Sequence, residues 1–314
     1  MAAAIQVHGL TRRFGDLVAV DHVGFSVSEG EVFGFLGPNG AGKTTTVRML
    51  TGVLDPTEGT ATIQGHDICA EPLAAREHLG IVPEEANVYL DLSVWRNVML
   101  MAELHGVPRC RRVEEGERLL GLLGLGERRK QKARGLSKGL RQRLMLCSAL
   151  VSGPELLFLD EPTSGLDVQS ARLIRQVVRD LNGHGLTVFL TTHNMAEAEE
   201  MCDRVAIINE GRIAAIDTPD QLRQTVRASQ YVEVSFEGPG PQEAALRGLP
   251  EVERLARQGE RMLLYTRRPG RTAVALADLA DREGLEVREL RTCTPSLEDV
   301  FLFLTRGGGG EKAP

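Results

Sequence analysis

The sequence predicts an α/β domain around a largely parallel β-sheet, followed by a smaller α+β domain. From residue 5 to about 225, short β-like runs alternate with helical stretches, which is typical of a parallel sheet covered by helices. After about Ala228 the pattern changes to the alternating run Tyr231–Phe236 and the turn signal Gly238-Pro-Gly-Pro241. We therefore expect a first domain over residues 5–225 and a second over residues 229–305.

Four apolar runs of the first domain are predicted to be strands. Residues 32–36, 156–159 and 186–190 are apolar without alternation, as expected for central strands that are buried on both faces. Residues 205–208 form the fourth run and end at Asn209-Glu-Gly211, a turn signal between two strand-like segments. These runs predict a buried sheet with a tight turn after its fourth strand.

A helical subdomain is predicted to interrupt this sheet. Between residues 88 and about 135 the strand signal is absent, and segments rich in Leu and Arg replace it. Residues 106–143 carry twelve Lys and Arg against four Glu, a charge of +8 within an acidic chain. This charge has two interpretations: a solvated helix surface, or a contact with a phosphate or an acidic partner.

The composition limits the classes of function. The 314 residues include 37 Lys and Arg against 43 Asp and Glu, so the net charge of −6 offers no general attraction for nucleic acid or anionic lipid. The longest charge-free stretches, residues 32–42, 144–154 and 186–196, fall short of the ~18 apolar residues that span a membrane. We expect no nucleic-acid partner, and a membrane role only through a partner protein.

The N-terminus and the cysteines predict the compartment, and the C-terminal residues predict a disordered tail. The N-terminal residues lack a basic segment followed by a long apolar one, so no export signal is predicted and the chain is expected in the cytoplasm. Five scattered cysteines without C-x-x-C spacing predict reduced and mostly structural thiols. The glycine-rich residues 306–314 are predicted to be a disordered tail.

A phosphate-binding loop follows the first apolar run. Gly37-Pro-Asn-Gly-Ala-Gly-Lys-Thr44 fits G-x-x-x-x-G-K-[ST] between a predicted strand and a predicted helix, which is the context that the motif requires. Its glycines let backbone N–H groups surround an oxyanion, while Lys43 would reach the β- and γ-phosphates and Thr44 would ligate Mg²⁺. The predicted nucleotide-binding residues of this phosphate loop, residues 37–45, are Gly37, Pro38, Asn39, Gly40, Ala41, Gly42, Lys43, Thr44 and Thr45.

Polar residues follow two other buried runs. Asp160 and Glu161 end the run 156–159, where Asp160 is predicted to serve the Mg²⁺ ion and Glu161 to polarise the attacking water. His193 follows the run 186–190 and is predicted to sense or stabilise the γ-phosphate. The alternative for each of these residues is a structural role at a strand end.

Two further segments carry a family resemblance. Residues 136–143, Leu-Ser-Lys-Gly-Leu-Arg-Gln-Arg, resemble the signature L-S-G-G-Q of ABC transporter nucleotide-binding subunits, with departures at Lys138 and Leu140. Residues 159–167, Leu-Asp-Glu-Pro-Thr-Ser-Gly-Leu-Asp, resemble the Walker B motif and D-loop of that family. Over residues 5 to about 225 the chain therefore resembles an ABC-type P-loop ATPase domain.

The resemblance implies roles for individual residues. His193 would be the switch histidine, Asp167 the D-loop aspartate, and Ser137 and Gly139 the signature residues that contact the nucleotide of a second copy. A plain helix cap is the alternative for Ser137, whose oxygen can accept from its own helix N-terminus.

The resemblance also implies roles for Phe14 and Glu84. Phe14 would stack on adenine, or else be an ordinary core residue. Glu84 stands where the family has the Q-loop glutamine, and its carboxylate is a candidate metal ligand.

The chain is most similar to a narrower group, the ATPases of drug-resistance and related exporters. Lys138, Pro83-Glu-Glu85 and residues 294–301 carry this similarity, and in that group the C-terminal segment is a small accessory domain. The resemblance implies ATP and Mg²⁺ as ligands, a head-to-tail ATP-sandwich dimer, and integral membrane permease subunits at the cytoplasmic face of the cell membrane. A drug, antibiotic or other lipophilic compound is the expected cargo, with lipid, polysaccharide or ions as alternatives.

Two other classes of function compete with export. Soluble ABC proteins that act on ribosomes usually carry two cassettes, and those that act on DNA carry long coiled coils or zinc modules; the sequence has one phosphate loop and neither heptads nor clustered Cys. A non-hydrolysing binding module is disfavoured because Lys43, Asp160, Glu161 and His193 are all present.

Overall fold

A computed structural model describes residues 2–225, 230–238, 240–293 and 296–306. The chain divides into two compact units, residues 1–218 and 219–314. Within the described residues, no helix is both long enough and apolar enough to cross a bilayer.

The first unit contains most of the helices and strands. They are β1 (Ala3–Phe14), β2 (Leu17–Ser28), β3 (Val32–Leu36), α1 (Lys43–Leu50), β4 (Glu58–Ile63), β5 (His66–Asp67), α2 (Pro72–Glu77), β6 (Leu79–Val82), α3 (Val94–Leu104), α4 (Arg109–Leu122), α5 (Lys138–Leu150), β7 (Leu156–Asp160), α6 (Val168–Asn182), β8 (Thr187–Thr192), α7 (Met195–Met201), β9 (Arg204–Asn209) and β10 (Arg212–Asp217).

A six-stranded sheet forms the centre of this unit, in the order β10-β9-β3-β8-β7-β6. All neighbouring strands are parallel except β10, which returns antiparallel to β9 after a turn at residues 210–211. The four predicted runs are β3, β7, β8 and β9, and every residue of β3, β7 and β8 is buried. The prediction of a largely parallel, doubly covered sheet is therefore confirmed.

A second sheet covers one face of the central sheet and was not predicted. It has the order β2-β1-β4-β5 and is antiparallel. Phe25 of β2 lies against Phe33 and Phe189 of the central sheet, with ring centroids 5.3 and 5.9 Å apart. Stacked aromatic rings bury large apolar area, so this cluster joins the two sheets into one core.

The predicted helical subdomain corresponds to α3 and α4, which lie between β6 and β7. Ser93 caps α3 by accepting from Arg96 N at 3.2 Å. The buried Asn97 amide accepts from Tyr89 N at 2.8 Å and donates to Tyr89 O at 3.1 Å. A side chain that satisfies both backbone groups of a loop residue fixes that loop, so the segment before α3 is held in one conformation.

The second unit is a separate α+β fold, as predicted. Its elements are α8 (Pro219–Thr225), β11 (Tyr231–Phe236), α9 (Glu243–Arg247), β12 (Val252–Gln258), β13 (Arg261–Thr266), α10 (Pro269–Glu283), β14 (Val287–Cys293) and α11 (Leu297–Arg306). The sheet order β12-β13-β11-β14 gives the β-α-β-β-α-β arrangement of the split βαβ motif. Val232, Val234, Leu246, Leu264 and Leu276 form its small apolar core.

The borders of this unit differ in detail from the predicted ones. Helix α8 belongs to the second unit because it packs against α11, so the division falls after residue 218 instead of near residue 225. Helix α11 continues through Arg306, the first residue of the predicted tail. The rest of that predicted tail, residues 307–314, lies outside the described residues.

Candidate functional site

The phosphate loop joins β3 to α1 and depends on glycine at two positions where any side chain would collide. A Cβ on Gly37 would lie 2.4 Å from Ile208 O, and a Cβ on Gly42 would lie 2.6 Å from Ala19 O. Gly42 also has a φ of 106° and caps α1. The loop therefore brings bare backbone to the positive end of a helix, which is an anion-binding arrangement that fits a phosphate.

Lys43 points back into this loop. Its side chain is 6% exposed, and its Nζ atom donates to Gly37 O at 2.7 Å and to Pro38 O at 3.2 Å. The same Nζ atom lies 3.2 Å from Glu161 Oε1. A buried cation is thus held between backbone carbonyls and one carboxylate at the place where phosphate oxygens would bind.

Asp160 ends β7 and faces the start of α1. Its Oδ1 atom accepts from Thr191 Oγ1 at 2.5 Å and lies 3.5 Å from Thr44 Oγ1. Asp160 is 4% exposed, so its orientation is fixed by these contacts and by the packing around β7. A hydroxyl and a carboxylate that meet beside a phosphate loop form an oxygen donor set that suits Mg²⁺.

Glu161 follows Asp160 directly and contacts Lys43 and His193. It has a left-handed φ of 49°, which is strained for a residue with a side chain, and its N–H donates to Thr191 O at 3.1 Å. Its Oε2 atom lies 2.7 Å from His193 Nδ1. Its buried Oε1 atom, beside Lys43, accepts no hydrogen bond from the part of the chain that the structure describes. Beyond its ion pair with Lys43, this oxygen can accept a hydrogen bond from a water molecule or a ligand.

These residues surround a cavity of about 320 Å³. Its lining residues are Ala19, Pro38, Asn39, Gly40, Gly42, Lys43, Thr44, Thr45, Glu84 and Glu161. The exposed Glu84 follows β6 and faces the same space as Thr44. The structure thus brings most of the phosphate loop, Glu84 and Glu161 together, with Asp160 directly behind Thr44.

The predicted signature and D-loop residues form a second cluster. Ser137 caps α5 by accepting from Leu140 N at 3.3 Å. Asp167 caps α6 and accepts from Ser170 N and Ser170 Oγ, both at 2.8 Å. These two hydrogen bonds lower the pKa of Asp167 below its ordinary value. A Cβ on Gly139 would lie 2.4 Å from Ser170 Oγ, so the two helix starts are in direct contact.

Phe14 ends β1 and is not a core residue. Its side chain is 47% exposed, and the Arg12 guanidinium lies 4.7 Å from the centre of its ring. This exposure shows that the core alternative for Phe14 is wrong, and an exposed ring can stack on another flat π-system.

The sequence argument did not predict the contacts of three residues that lie near this site. Thr191 pairs with Asp160 across β8 and β7, and the run of buried threonines at the end of β8 was an available signal. Glu197 binds Thr163 and Thr192, and nothing in the sequence indicated this. Lys138 donates to Ser164 O, although the sequence showed only that Lys138 is unusual.

The fold and the site together define the class of protein. A glycine loop between a buried parallel strand and a helix, with Asp160 and Glu161 at the end of another parallel strand of the same sheet, is the arrangement of a P-loop nucleoside triphosphatase. The family model described as ABC transporter matches residues 20–164, and the model described as ATP-binding protein DrrA1-3-like, C-terminal domain, matches residues 218–305.

Similar proteins agree with this class. The Nod factor export ATP-binding protein I of Rhizobium sp. (strain N33) is 38% identical to this chain, and the match covers 96% of this chain and 97% of the relative's length. The daunorubicin/doxorubicin resistance ATP-binding protein DrrA of Streptomyces peucetius is 37% identical, and the match covers 96% of this chain and 92% of the relative's length. A solved ATP-binding subunit of an ABC transporter superposes with a TM-score of 0.66, at 28% identity over 71% of this chain and 92% of that one.

The chain belongs to the ABC transporter family of ATP-binding subunits, in the group with a DrrA-like C-terminal domain. It is an ATP-binding and ATP-hydrolysing subunit of the exporter type. The family, the fold class and the ATPase activity expected from the resemblance are therefore confirmed.

Proposed function

We propose that this chain binds Mg²⁺ and ATP in the cavity at the phosphate loop, hydrolyses ATP with Glu161, and drives export of a lipophilic compound through separate membrane subunits. The observation that carries the proposal is the Glu161 side chain, which is held between His193 and Lys43 in the wall of that cavity. One carboxylate oxygen is oriented by His193, and the other remains available to accept a proton or a hydrogen bond from water.

The other site residues would bind the phosphates, the metal and the adenine. Lys43 and the backbone of residues 37–45 would hold the phosphates, and Thr44, Asp160 and Glu84 would hold the metal. A bound Mg²⁺ ion supplies charge neutralisation on the phosphate oxygens. Thr191 fixes Asp160 through the hydrogen bond between its hydroxyl and Oδ1. Phe14 would stack on the adenine, with Arg12 already covering one face of the ring.

The signature residues support a dimer in which each copy completes the site of the other. Ser137 and Gly139 are not among the described residues that line the cavity of their own chain. Ser137 caps the start of α5, which is exposed there, and the neighbouring Val168 at the start of α6 is 83% exposed. We infer a head-to-tail pair of copies, in which the helix start at Ser137 faces the phosphates bound by the other copy.

We infer the membrane partner from an exposed apolar surface, and the cargo from the names of similar proteins. Tyr89 and Leu90 are 52% and 45% exposed in the loop that Asn97 fixes, close along the chain to Glu84. An exposed apolar pair on a fixed loop suits docking of a permease subunit at the cytoplasmic face of the membrane. The name of the Streptomyces relative favours a drug as cargo, whereas the Rhizobium relative is named for Nod factor export, and lipid, polysaccharide or ions remain the alternatives.

The catalytic assignment is tested by Glu161→Gln. The amide cannot accept a proton, so we expect ATP hydrolysis to fall at least about a hundredfold while ATP binding is retained. The control is Glu155→Gln, which changes an exposed acid immediately before the same strand, β7, and should hydrolyse at the wild-type rate. Wild-type turnover by Glu161→Gln would exclude Glu161 as the catalytic base.

The export assignment is tested by purification from native membranes. Tagged protein is extracted in mild detergent with ATP present, and the proteins that co-purify are identified by mass spectrometry. We expect a multi-span membrane protein in stoichiometric amount, whose loss from the cell should then raise sensitivity to its cargo. Recovery of ribosomes or nucleic acid instead would favour a soluble ATP-dependent switch.

A further inference from the structure

Lys138 links the signature helix to the loop that follows the catalytic strand. Its Nζ atom donates to the backbone carbonyl of Ser164, with 2.8 Å between the two atoms. Ser164 lies in the segment between β7 and α6, three residues after Glu161. The neighbouring Gly165 has a φ of 65°, and a Cβ there would lie 2.7 Å from Lys138 Nζ. Glycine at this position therefore leaves the room that the ammonium group occupies.

The position of Lys138 is not explained by helix stability. It is the first residue of α5, and the first turn of α5 contains no acidic residue. A cation at a helix N-terminus is repelled by the helix dipole. The contact with Ser164 O offsets this repulsion, because a carbonyl oxygen that accepts from a charged donor forms a stronger hydrogen bond than one that accepts from a neutral donor.

Other contacts dock the same two helix starts together. Gly139 packs directly on Ser170, and Arg143 Nη2 donates to Ser170 Oγ at 3.0 Å. Ser170 in turn donates to Asp167, the cap of α6. The start of α5 therefore packs on the start of α6, and Lys138 contacts the segment that precedes α6.

The Ser164 peptide connects this contact to Glu161. Ser164 N–H donates to Glu161 O at 3.1 Å, and Leu166 N–H donates to Thr163 O at 3.2 Å, so residues 161–166 form a compact turn segment. The carbonyl of Ser164 accepts from Lys138, while its N–H holds Glu161. Glu161 has a strained φ of 49°, and a strained conformation persists only where its surroundings hold it.

We propose that Lys138 is a positioning residue that holds the turn segment, residues 161–166, and through it the backbone of Glu161, against the start of α5. The proposal rests on the proposed role of Glu161 in hydrolysis and adds a contact within one copy that transmits the position of the signature helix to that residue. The signature sequence of the family has Gly at this place, which lacks a side chain that could make the contact.

The test compares Lys138→Gln, Lys138→Arg and the control Lys132→Gln, which changes an exposed lysine in the segment before α5. Two properties are measured on the purified full chain. The first is hydrogen–deuterium exchange without nucleotide, for peptides that cover the amides of Ser164 and Leu166. The second is steady-state ATP hydrolysis, with kcat and KM determined separately.

We expect Lys138→Gln to speed exchange of these two amides and to lower kcat about three- to tenfold, the effect of one hydrogen bond, with KM for ATP within about twofold. Lys138→Arg can still reach a carbonyl and should recover most of both effects, and Lys132→Gln should resemble the wild type. The change in kcat without KM separates a positioning role from a general loss of structure.

Two results would overturn the proposal. Unchanged exchange of the Ser164 and Leu166 amides in Lys138→Gln would show that the contact does not hold the turn segment. Faster exchange with unchanged kcat would show that holding the segment does not position Glu161. Both results differ from a failure of the proposed function, which would appear as wild-type turnover in Glu161→Gln whatever Lys138→Gln does.

Discussion

The Thr163 hydroxyl donates a hydrogen bond to the buried carboxylate of Glu197, with 2.7 Å between Oγ1 and Oε1. The other carboxylate oxygen, Oε2, accepts from Thr192 Oγ1 at 2.8 Å. Thr163 lies two residues after Glu161, and Thr192 directly precedes His193. One side chain on α7 therefore connects the segments that carry both partners of the Glu161–His193 pair.

Glu197→Ala should loosen this connection. The substitution removes the acceptor of the buried Thr192 hydroxyl and of the half-buried Thr163 hydroxyl, and an unpaired buried group costs about 1–3 kcal/mol. We expect the melting temperature to fall by several degrees and kcat to fall more than tenfold, because Glu161 and His193 would no longer be held together. Scanning calorimetry and ATPase assays measure the two effects.

The matched control for Glu197→Ala is Glu200→Ala on the same helix. Glu200 is half exposed and pairs with Arg175 and Arg179 at the surface, where such pairs contribute about 0–1 kcal/mol. Equal losses of kcat in the two variants would contradict the connecting role of Glu197.

Gly37→Ala should abolish nucleotide binding through a collision alone. The new Cβ would lie 2.4 Å from Ile208 O, which belongs to the rigid backbone of β9. Gly40→Ala is the comparison, because its φ of 84° disfavours a side chain but nothing lies within 4 Å of the new atom. We expect binding of a fluorescent ATP analogue to weaken more in Gly37→Ala than in Gly40→Ala. The reverse order would show that loop conformation, and not close approach, limits binding.

Glu84→Gln should weaken the response to Mg²⁺. A carboxylate is a better ligand for this ion than an amide, so the Mg²⁺ concentration for half-maximal ATPase activity is expected to rise about three- to tenfold at fixed ATP. Glu85→Gln changes the next acid, which does not line the cavity within the described residues, and should leave the titration unchanged. An unchanged titration in Glu84→Gln would remove Glu84 from the metal site.

The thiols should differ sharply in their alkylation at pH 8. Burial raises the pKa of Cys147 to about 12 and also raises the pKa of Cys202, whereas Cys110 is exposed. The reactive species is the thiolate, and at pH 8 only roughly one Cys147 in ten thousand would carry that charge. We expect iodoacetamide to label Cys110 first, and Cys147 and Cys202 only after denaturation, as read by mass spectrometry.

The sign of the same pKa shifts sets a pH window for stability. A raised thiol pKa means that the folded state favours the neutral form, so this contribution is constant below the ordinary cysteine pKa of about 8.5 and is lost as the pH rises toward 12. Labelling of Cys147 at the rate of Cys110 at pH 8 would contradict the burial on which this shift depends.

The sequence predicted the elements whose signal is local. Strands β3, β7 and β8 are buried on both faces and therefore read as uninterrupted apolar runs. The antiparallel sheet that contains β1 and β2 was missed, because its strands alternate between buried and exposed residues and are interrupted by register shifts. The place of these strands in the core is shown by Phe25, which contacts Phe189, a residue that is distant in sequence.

The same limit applies to the candidate site. The phosphate loop is a local motif, so its residues could be identified from their spacing. The contact of Lys138 with Ser164 spans 26 residues and that of Thr163 with Glu197 spans 34, and no periodicity encodes either pair. Glu161 has a left-handed φ that its sequence neighbours do not require, and only the fold shows what holds it.

The first and last strands of the second unit pair so that Tyr231 lies opposite Cys293. The polypeptide therefore enters and leaves this sheet at the same point, and the hydrogen-bonded strands in between are complete among themselves. Such a segment can be transplanted: recombination at its two borders would exchange an entire domain between cassettes without severing a strand. The same property makes it a natural position for grafting a reporter or a foreign regulatory module in protein engineering.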